Sequence, residues 1–411
     1  MIKLKKITIA FFCFWVLAQV ALIIFNWNIV LDSDYRAYQI LAEKCVNQSS
    51  LYPMKDNLYD NFIWAPGFVN LLILQLKLFG SFKINMFLNL FFNIGIVLML
   101  FVIARKYSSK ATALLSVILF CTLYSNYLLV IPTATELPFL FFSLLGLCLS
   151  IKGGRFYYLA GVSFVFAETI RPLTIIFLVP VIVLMFLKKE NKCAYIRLIF
   201  SIVLTALFLG GITFMRVGYF NYKSTTGGYN LIMVANDGAR MDGGFNPQIF
   251  YDSSSTAFIP GFQNVTELSY SDENRKMTFS ERDKKWKSES LRWILHNPFR
   301  YLKSYFVRLF HLYDKDLVYD VYQFDSPLAN NIMKMVKCLT YYFIVIWAII
   351  GIVKIRYKYF YVLFLITILG TMATCLFPVA DRYHYPMMFP IILLAAAALE
   401  TFIEKHREVR C

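Results

Sequence analysis

The sequence predicts an all-α, multispanning membrane protein. Three observations carry that expectation. Of 411 residues, 59% are hydrophobic and only 16% charged, a composition foreign to a soluble domain of this length. The apolar residues gather into ten stretches, each of roughly the length that crosses a bilayer. The basic residues sit in short clusters between them, and one choice of orientation puts every short cluster on the same side.

The stretches cover residues 7–30, 84–104, 111–131, 136–151, 157–170, 172–187, 195–216, 339–356, 359–377 and 385–404. The first follows Lys3, Lys5 and Lys6. It is too long for a signal-peptide core and lacks a small-residue cleavage site, so it is expected to be retained. With the N-terminus in the cytoplasm, Arg105, Lys106 and Lys110 fall inside, as do Lys152 and Arg155, and Lys188, Lys189 and Lys192. Lys354, Arg356 and Lys358 follow, and then the tail with Lys405, Arg407 and Arg410. Pro66 to Gly80 is apolar too, but an eleventh span there would turn most clusters outward. It is expected as an interfacial or re-entrant helix with its proline in the first turn. Residues 157–187 are short for two spans, yet a single span would bury Glu168 and Arg171 at the bilayer centre.

Three parts follow from this topology. Residues 1–216 form an N-terminal transmembrane module that carries the first outer loop, 31–83. Residues 217–338 form a mixed outer segment, and 339–411 hold the last spans and a cytoplasmic tail. The outer segment opens with turn chemistry, in Ser224-Thr225-Thr226-Gly227-Gly228-Tyr229-Asn230 and Asn236-Asp237-Gly238. From Trp286 to Tyr313, aromatic and basic residues alternate at roughly helical spacing. That reads as one or two helices lying on the outer membrane surface, or equally as packed helices of a small outer domain.

The net charge of +16 resides in loop-end clusters that suit anionic lipid headgroups, so membrane lipids rather than nucleic acid are the expected partners. Of eight cysteines, only Cys45 and Cys338 would meet an oxidising compartment, and nothing in their spacing asks for a bridge. No Cys/His cluster has the spacing of a zinc site.

The unusual charges are those beside apolar stretches on the outer side. Asp32 and Asp34 end the first, and Glu136 opens the fourth. Glu168 and Arg171 flank the turn between the fifth and sixth, and Arg382 precedes the last. Each alone reads as a solvated loop charge. As a set drawn from distant spans to one depth, they suggest a polar cavity open to the outside. Arginine holds phosphate through charge-assisted, often bidentate hydrogen bonds, and a carboxylate can take a proton from a hydroxyl. That combination suits a lipid phosphate whose polar head reacts at the outer surface.

At this point the chain resembles the GT-C-fold membrane glycosyltransferases. The likeness is greatest to bacterial relatives of protein mannosyltransferases and of the aminoarabinose transferase that modifies lipid A. The matching residues are Asp34 with Tyr38, Pro66-Gly67, Glu136, Arg171-Pro172, the Thr226-Gly227-Gly228-Tyr229-Asn230-Leu231 stretch with Asn236, His296-Asn297-Pro298, and Arg382-Tyr383 with Pro386 and Pro390. The resemblance covers nearly the whole chain and implies a GT-C-like helix bundle. It further implies sugar transfer from a polyprenyl-phosphate-linked donor to a glycan, lipid or protein acceptor, on the outer face of a bacterial cytoplasmic membrane. The first-loop acid would be the catalytic carboxylate: Asp34 by its spacing to Tyr38, with Asp32 in reserve. Arg171 and Arg382 would bind the donor phosphate. Glu136, Glu168, Tyr38, Tyr383, His384, Asn230 and Asn236 would give polar support, with Glu168 free to pair with Arg171 one turn on. Asp32 and Asp34 leave room for a divalent cation; no other cofactor is expected. Attack opposite the phosphate would invert the anomeric centre. A polymerase or ligase using diphosphate-linked glycans, and a transporter or lipid flippase, stand as alternatives.

Overall fold

The computed structural model describes residues 2–29, 34–55, 63–240, 262–264, 269–270, 278–314, 326–354 and 357–408. Within them the chain is a multispanning, all-α bundle of the expected kind. The helices are α1 (Ile2–Phe25), α2 (Asp34–Asn47), α3 (Pro66–Phe79), α4 (Ile84–Tyr107), α5 (Lys110–Thr122), α6 (Ser125–Leu128), α7 (Glu136–Lys152), α8 (Phe156–Ile170), α9 (Ile175–Leu187) and α10 (Lys192–Val217). They continue with α11 (Gly227–Ile232), α12 (Phe279–His296), α13 (Pro298–Tyr313), α14 (Pro327–Lys354), α15 (Lys358–Thr374) and α16 (Met388–Glu408). A 3₁₀ segment, Asp381–Met387, leads into the last helix. A short antiparallel pairing of Phe262–Asn264 with Ser269–Tyr270 adds a trace of strand to the outer segment.

Among the described residues, α1, α4, α10 and α14, together with α16 and the segment leading into it, are by length and composition long and apolar enough to cross a membrane. The expected break between the fifth and sixth stretches is real: α8 and α9 are separate helices. Helices α5, α8 and α9 have 13, 15 and 13 residues, so each rises only about 20–23 Å, against a hydrocarbon core of about 30 Å. Segments of largely irregular backbone, 123–135 after α5 (broken only by the single turn of α6) and 171–174 before α9, lie at one end of the bundle, called here the site end. Backbone of that kind survives at membrane depth only where protein buries it.

The third stretch, expected to be helical to residue 131, therefore stops at Thr122. The cause is a row of amides on α4. Asn85, Asn89 and Asn93 are four residues apart on one buried face. Asn85 donates to the carbonyl of Pro132 at 3.5 Å, Asn89 to Pro132 at 2.9 Å and Val130 at 3.2 Å, and Asn93 to Asn126 at 2.7 Å. Side chains thus supply the donors that a continued helix would have supplied. The row reaches further: Asn93 also bonds Gln19 of α1, and Tyr385 donates to the side-chain carbonyl of Asn126 at 2.7 Å.

The apolar piece at Pro66 is a helix of 14 residues, with proline in its first turn and Gly80, at φ 65°, closing it. It buries Phe68, Val69, Leu72 and Ile73 and packs on α2 and α8. The approach to α8 is close enough to demand Gly67, where a Cβ would stand 2.0 Å from Oγ1 of Thr169. The aromatic–basic run after residue 278 forms two helices, started by a Thr278–Glu281 capping box and divided at Asn297-Pro298. Helix α13 docks on the C-terminal carbonyls of α15. Tyr301 donates to Leu376, and Arg308 donates through Nε to Cys375 at 2.8 Å. Cys45 and Cys338 are both free.

Candidate active site

Four sequence-distant charges meet at the site end. Asp34 opens α2, where the helix N-terminus favours a carboxylate. Glu136 opens α7. Arg171 is the residue on which α8 ends, with extended backbone at φ −144° and ψ 128°. Arg382 stands in the 3₁₀ segment before α16. Arg382 bonds the carboxylate of Asp34, and its Nε lies 3.5 Å from Oε1 of Glu136. Arg171 reaches the same Oε1 at 3.2 Å. The result is a chain, Asp34–Arg382–Glu136–Arg171, of two acids and two bases. Glu136 is its closed centre, with a side chain 2% exposed, while Asp34 is 37% exposed and faces outward.

Aromatic rings frame the cluster. Both guanidiniums lie over the ring of Tyr383, Arg171 at 5.0 Å and Arg382 at 5.6 Å, and Arg382 also lies 5.6 Å from the ring of Tyr35. Tyr38 stands one turn after Asp34, its ring held edge-on by Trp64 at 4.7 Å and Phe68 at 4.9 Å. Burial pushes its hydroxyl well above the ordinary tyrosine range. The charges of Asp34 and Glu136 add to that push, and Arg171 and Arg382 oppose it. The hydroxyl therefore stays a neutral donor and acceptor in reach of all four charges.

Glu168 behaves differently from expectation. It does not pair with Arg171. Its Oε1 accepts from Lys223 at 2.8 Å and its Oε2 from the backbone N–H of Thr174 at 3.0 Å. Arg171 has left the helix, so the helical i,i+3 neighbourhood no longer applies. Burial alone would lower the pKa of Lys223; the hydrogen bond and charge of Glu168 outweigh it and leave it raised.

Other expected residues are placed elsewhere or carry other duties. His384 is buried between the rings of Tyr313 at 5.8 Å and Tyr341 at 5.6 Å. Asn230 bonds Thr226 at 3.3 Å, and Asn236 bonds Ile232 and the N–H of Gly238. Both asparagines belong to the small α11 module, which Asp283 of α12 anchors by accepting from the N–H of Tyr229 at 2.8 Å. They shape that module rather than the arginine cluster. Asp32 lies outside the described residues.

The divalent cation expected between Asp32 and Asp34 falls partly outside the described residues, because Asp32 lies there. No group of three His, Cys, Asp or Glu side chains is placed to hold a metal among the described residues. Asp34 and Glu136 are already engaged by guanidiniums, and a hard divalent ion wants about six oxygens.

An apolar groove of about 510 Å³ lies between α9, α13 and α15, lined by Ile175, Val179, Tyr301, Tyr305, Met372 and Leu376. It starts four residues beyond Arg171 along the chain. Its wall residues Met372 and Leu376 are also exposed, so it opens onto the surface of the bundle. Sequence reasoning missed this groove, Lys223, Tyr35 and the amide row. Only the amide row had a readable signal, three asparagines at four-residue spacing in an apolar helix.

No protein-family model matches the chain, and no curated protein matches it. Solved structures do. The oligosaccharyltransferase of Archaeoglobus fulgidus, tethered to an acceptor peptide, superposes with a TM-score of 0.50 at 13% identity over 98% of this chain and 50% of its own. The same organism's AglB oligosaccharyltransferase, in complex with an inhibitory peptide and a dolichol-phosphate, gives 0.48 at 12% identity over 99% of this chain and 51% of its own. ArnT of Cupriavidus metallidurans, in the apo state, gives 0.38 at 10% identity over 94% of this chain and 76% of its own. The chain spans about half the length of the archaeal enzymes it matches. Its fold is the GT-C fold of membrane glycosyltransferases.

Proposed function

Proceeding from that fold, we propose that the protein is a glycosyltransferase. It moves a sugar from a polyprenyl-phosphate-linked donor to a glycan, lipid or protein acceptor, on the outer face of a bacterial cytoplasmic membrane. One observation carries the reading: two arginines and a half-exposed aspartate converge in one ion-paired cluster, and an apolar groove begins four residues beyond Arg171 along the chain. A prenyl chain suits the groove, and a phosphate at its head suits the guanidinium pair.

On this reading each residue has a task. In the structure Arg382 bonds Asp34, and the four charges sum to zero. A donor phosphate competes for Arg382 and draws it from the carboxylate. Asp34 is then free to accept the proton of an acceptor hydroxyl. The acceptor oxygen bonds to the anomeric carbon as the bond from that carbon to the phosphate oxygen breaks, and the lipid phosphate leaves with the electron pair. Arg171 and Arg382 stabilise the charge that develops on it. Glu136 holds the two guanidiniums at one spacing, and Tyr38 offers a neutral hydroxyl beside them. Attack opposite the phosphate inverts the anomeric centre.

The test uses the purified protein in proteoliposomes with radiolabelled polyprenyl-phosphate sugars and a mixture of candidate acceptors. Label is expected to move to an acceptor. Label that crosses the bilayer while remaining on its lipid would make the protein a flippase. Transfer only from diphosphate-linked glycans would make it a polymerase or ligase.

A further inference from the structure

We infer that Lys223 is a positioning residue for Arg171, acting by keeping Glu168 away from it. The inference rests on the reading of Arg171 as a donor-phosphate ligand. Glu168 stands three residues before Arg171, close enough that its carboxylate is the nearest anion along the chain. A second carboxylate on Arg171, added to Glu136, would cancel the charge a phosphate needs. In the structure this does not happen, because both oxygens of Glu168 are taken. Lys223 Nζ holds Oε1 at 2.8 Å, and the N–H of Thr174 holds Oε2 at 3.0 Å.

The second bond closes the turn around Arg171. The N–H of Arg171 bonds the carbonyl of Ala167 at 2.9 Å, and the N–H of Leu173 bonds the carbonyl of Arg171 at 2.7 Å. With Glu168 capping Thr174, the backbone on both sides of Arg171 is tied, and its side chain is turned to Glu136. Lys223 supplies the charge that makes this arrangement of Glu168 favourable. Glu168 is only 17% exposed, and a carboxylate so placed needs a cation close by. Remove Lys223, and Arg171 is the cation within reach. Lys223 belongs to the segment that follows α10, between Asn221 and the α11 module. The outer segment thereby acts on the donor side of the site through one ion pair.

The experiment measures binding of a long-chain polyprenyl monophosphate to the full chain in phosphatidylcholine nanodiscs. Lys223→Met is expected to weaken binding roughly tenfold, the scale of one charge-assisted hydrogen bond. Lys223→Arg is expected to bind like the parent. The decisive variant is Lys223→Met with Glu168→Gln. A neutral amide has no charge to spend on Arg171, so the double variant is expected to regain most of the lost affinity. A merely structural Lys223 would give no such rescue. Unchanged binding in Lys223→Met, or a loss that Glu168→Gln leaves uncorrected, overturns the inference. Parent protein that does not bind the lipid, or binds it equally well as Arg171→Met, overturns the phosphate reading instead and takes this inference with it.

Discussion

Arg171 and Arg382 reach the same oxygen atom. Oε1 of Glu136 lies 3.2 Å from one guanidinium and 3.5 Å from the other. Two cations that would repel each other are thus held as a pair by one buried anion. Glu136→Gln keeps the shape and removes the charge. Removing one partner of a buried ion pair costs about 3–5 kcal/mol, and the partial exposure of Arg171 reduces that here. Thermal unfolding in detergent is expected to show a clear loss of stability, and transfer activity should fall with it. A variant as stable and active as the parent would strip Glu136 of this role.

The arginines are not interchangeable with lysines. Arg171→Lys and Arg382→Lys preserve charge but lose the planar fork that spans two acceptors. Each is expected to insert normally and to lose roughly tenfold or more in transfer activity, mainly through weaker donor binding. Full activity in both variants would remove the phosphate clamp from the mechanism.

Asp34→Asn separates chemistry from binding. The amide cannot take a proton, and loss of a general base costs roughly 100- to 10,000-fold in rate. The same change releases Arg382 from its carboxylate partner. Polyprenyl-phosphate binding should therefore hold or tighten while turnover collapses. Weaker lipid binding in Asp34→Asn would show that Arg382 does not pass from the aspartate to the phosphate.

Gly67 is a packing test of the scaffold behind the site. An alanine Cβ there would lie 2.0 Å from Oγ1 and 2.7 Å from Cβ of Thr169. Overpacking of this kind costs about 1–3 kcal/mol. Gly67→Ala is expected to lower the unfolding temperature and, because Thr169 stands between Glu168 and Arg171, to lower activity as well. An unfolding temperature equal to that of the parent would mean that α3 and α8 separate freely at this point.

Much of the bundle was legible because membrane burial writes itself into composition and charge. The separation of α8 from α9 followed from the cost of burying Glu168 and Arg171. The convergence of Asp34, Glu136, Arg171 and Arg382 followed from their shared depth. What depth cannot tell is direction about a helix axis or across a turn. A continuous helix would leave Glu168 free to pair with Arg171, and the extended backbone at Arg171 removes that option. The early end of α5 depends on amides that lie more than thirty residues away in the chain. His384 and the two asparagines of the α11 module are named through the family resemblance, and a motif match alone does not separate a ligand from a local brace. Asp32 lies outside the described residues.

The amide row on α4 has a consequence for how the protein is made. Asn85, Asn89 and Asn93 have their carbonyl partners 33 to 47 residues later in the sequence. When α4 first reaches the membrane, those partners have not yet left the ribosome. Until they do, Asn85 and Asn89 lack their later carbonyl partners, and Asn93 has Gln19 of α1. Secure insertion of α4 therefore waits on downstream chain, and the helix and the 123–135 segment enter the bilayer as one unit. A nascent chain truncated at Thr122 should leave α4 poorly retained in microsomes, and one extended beyond Glu136 should hold it.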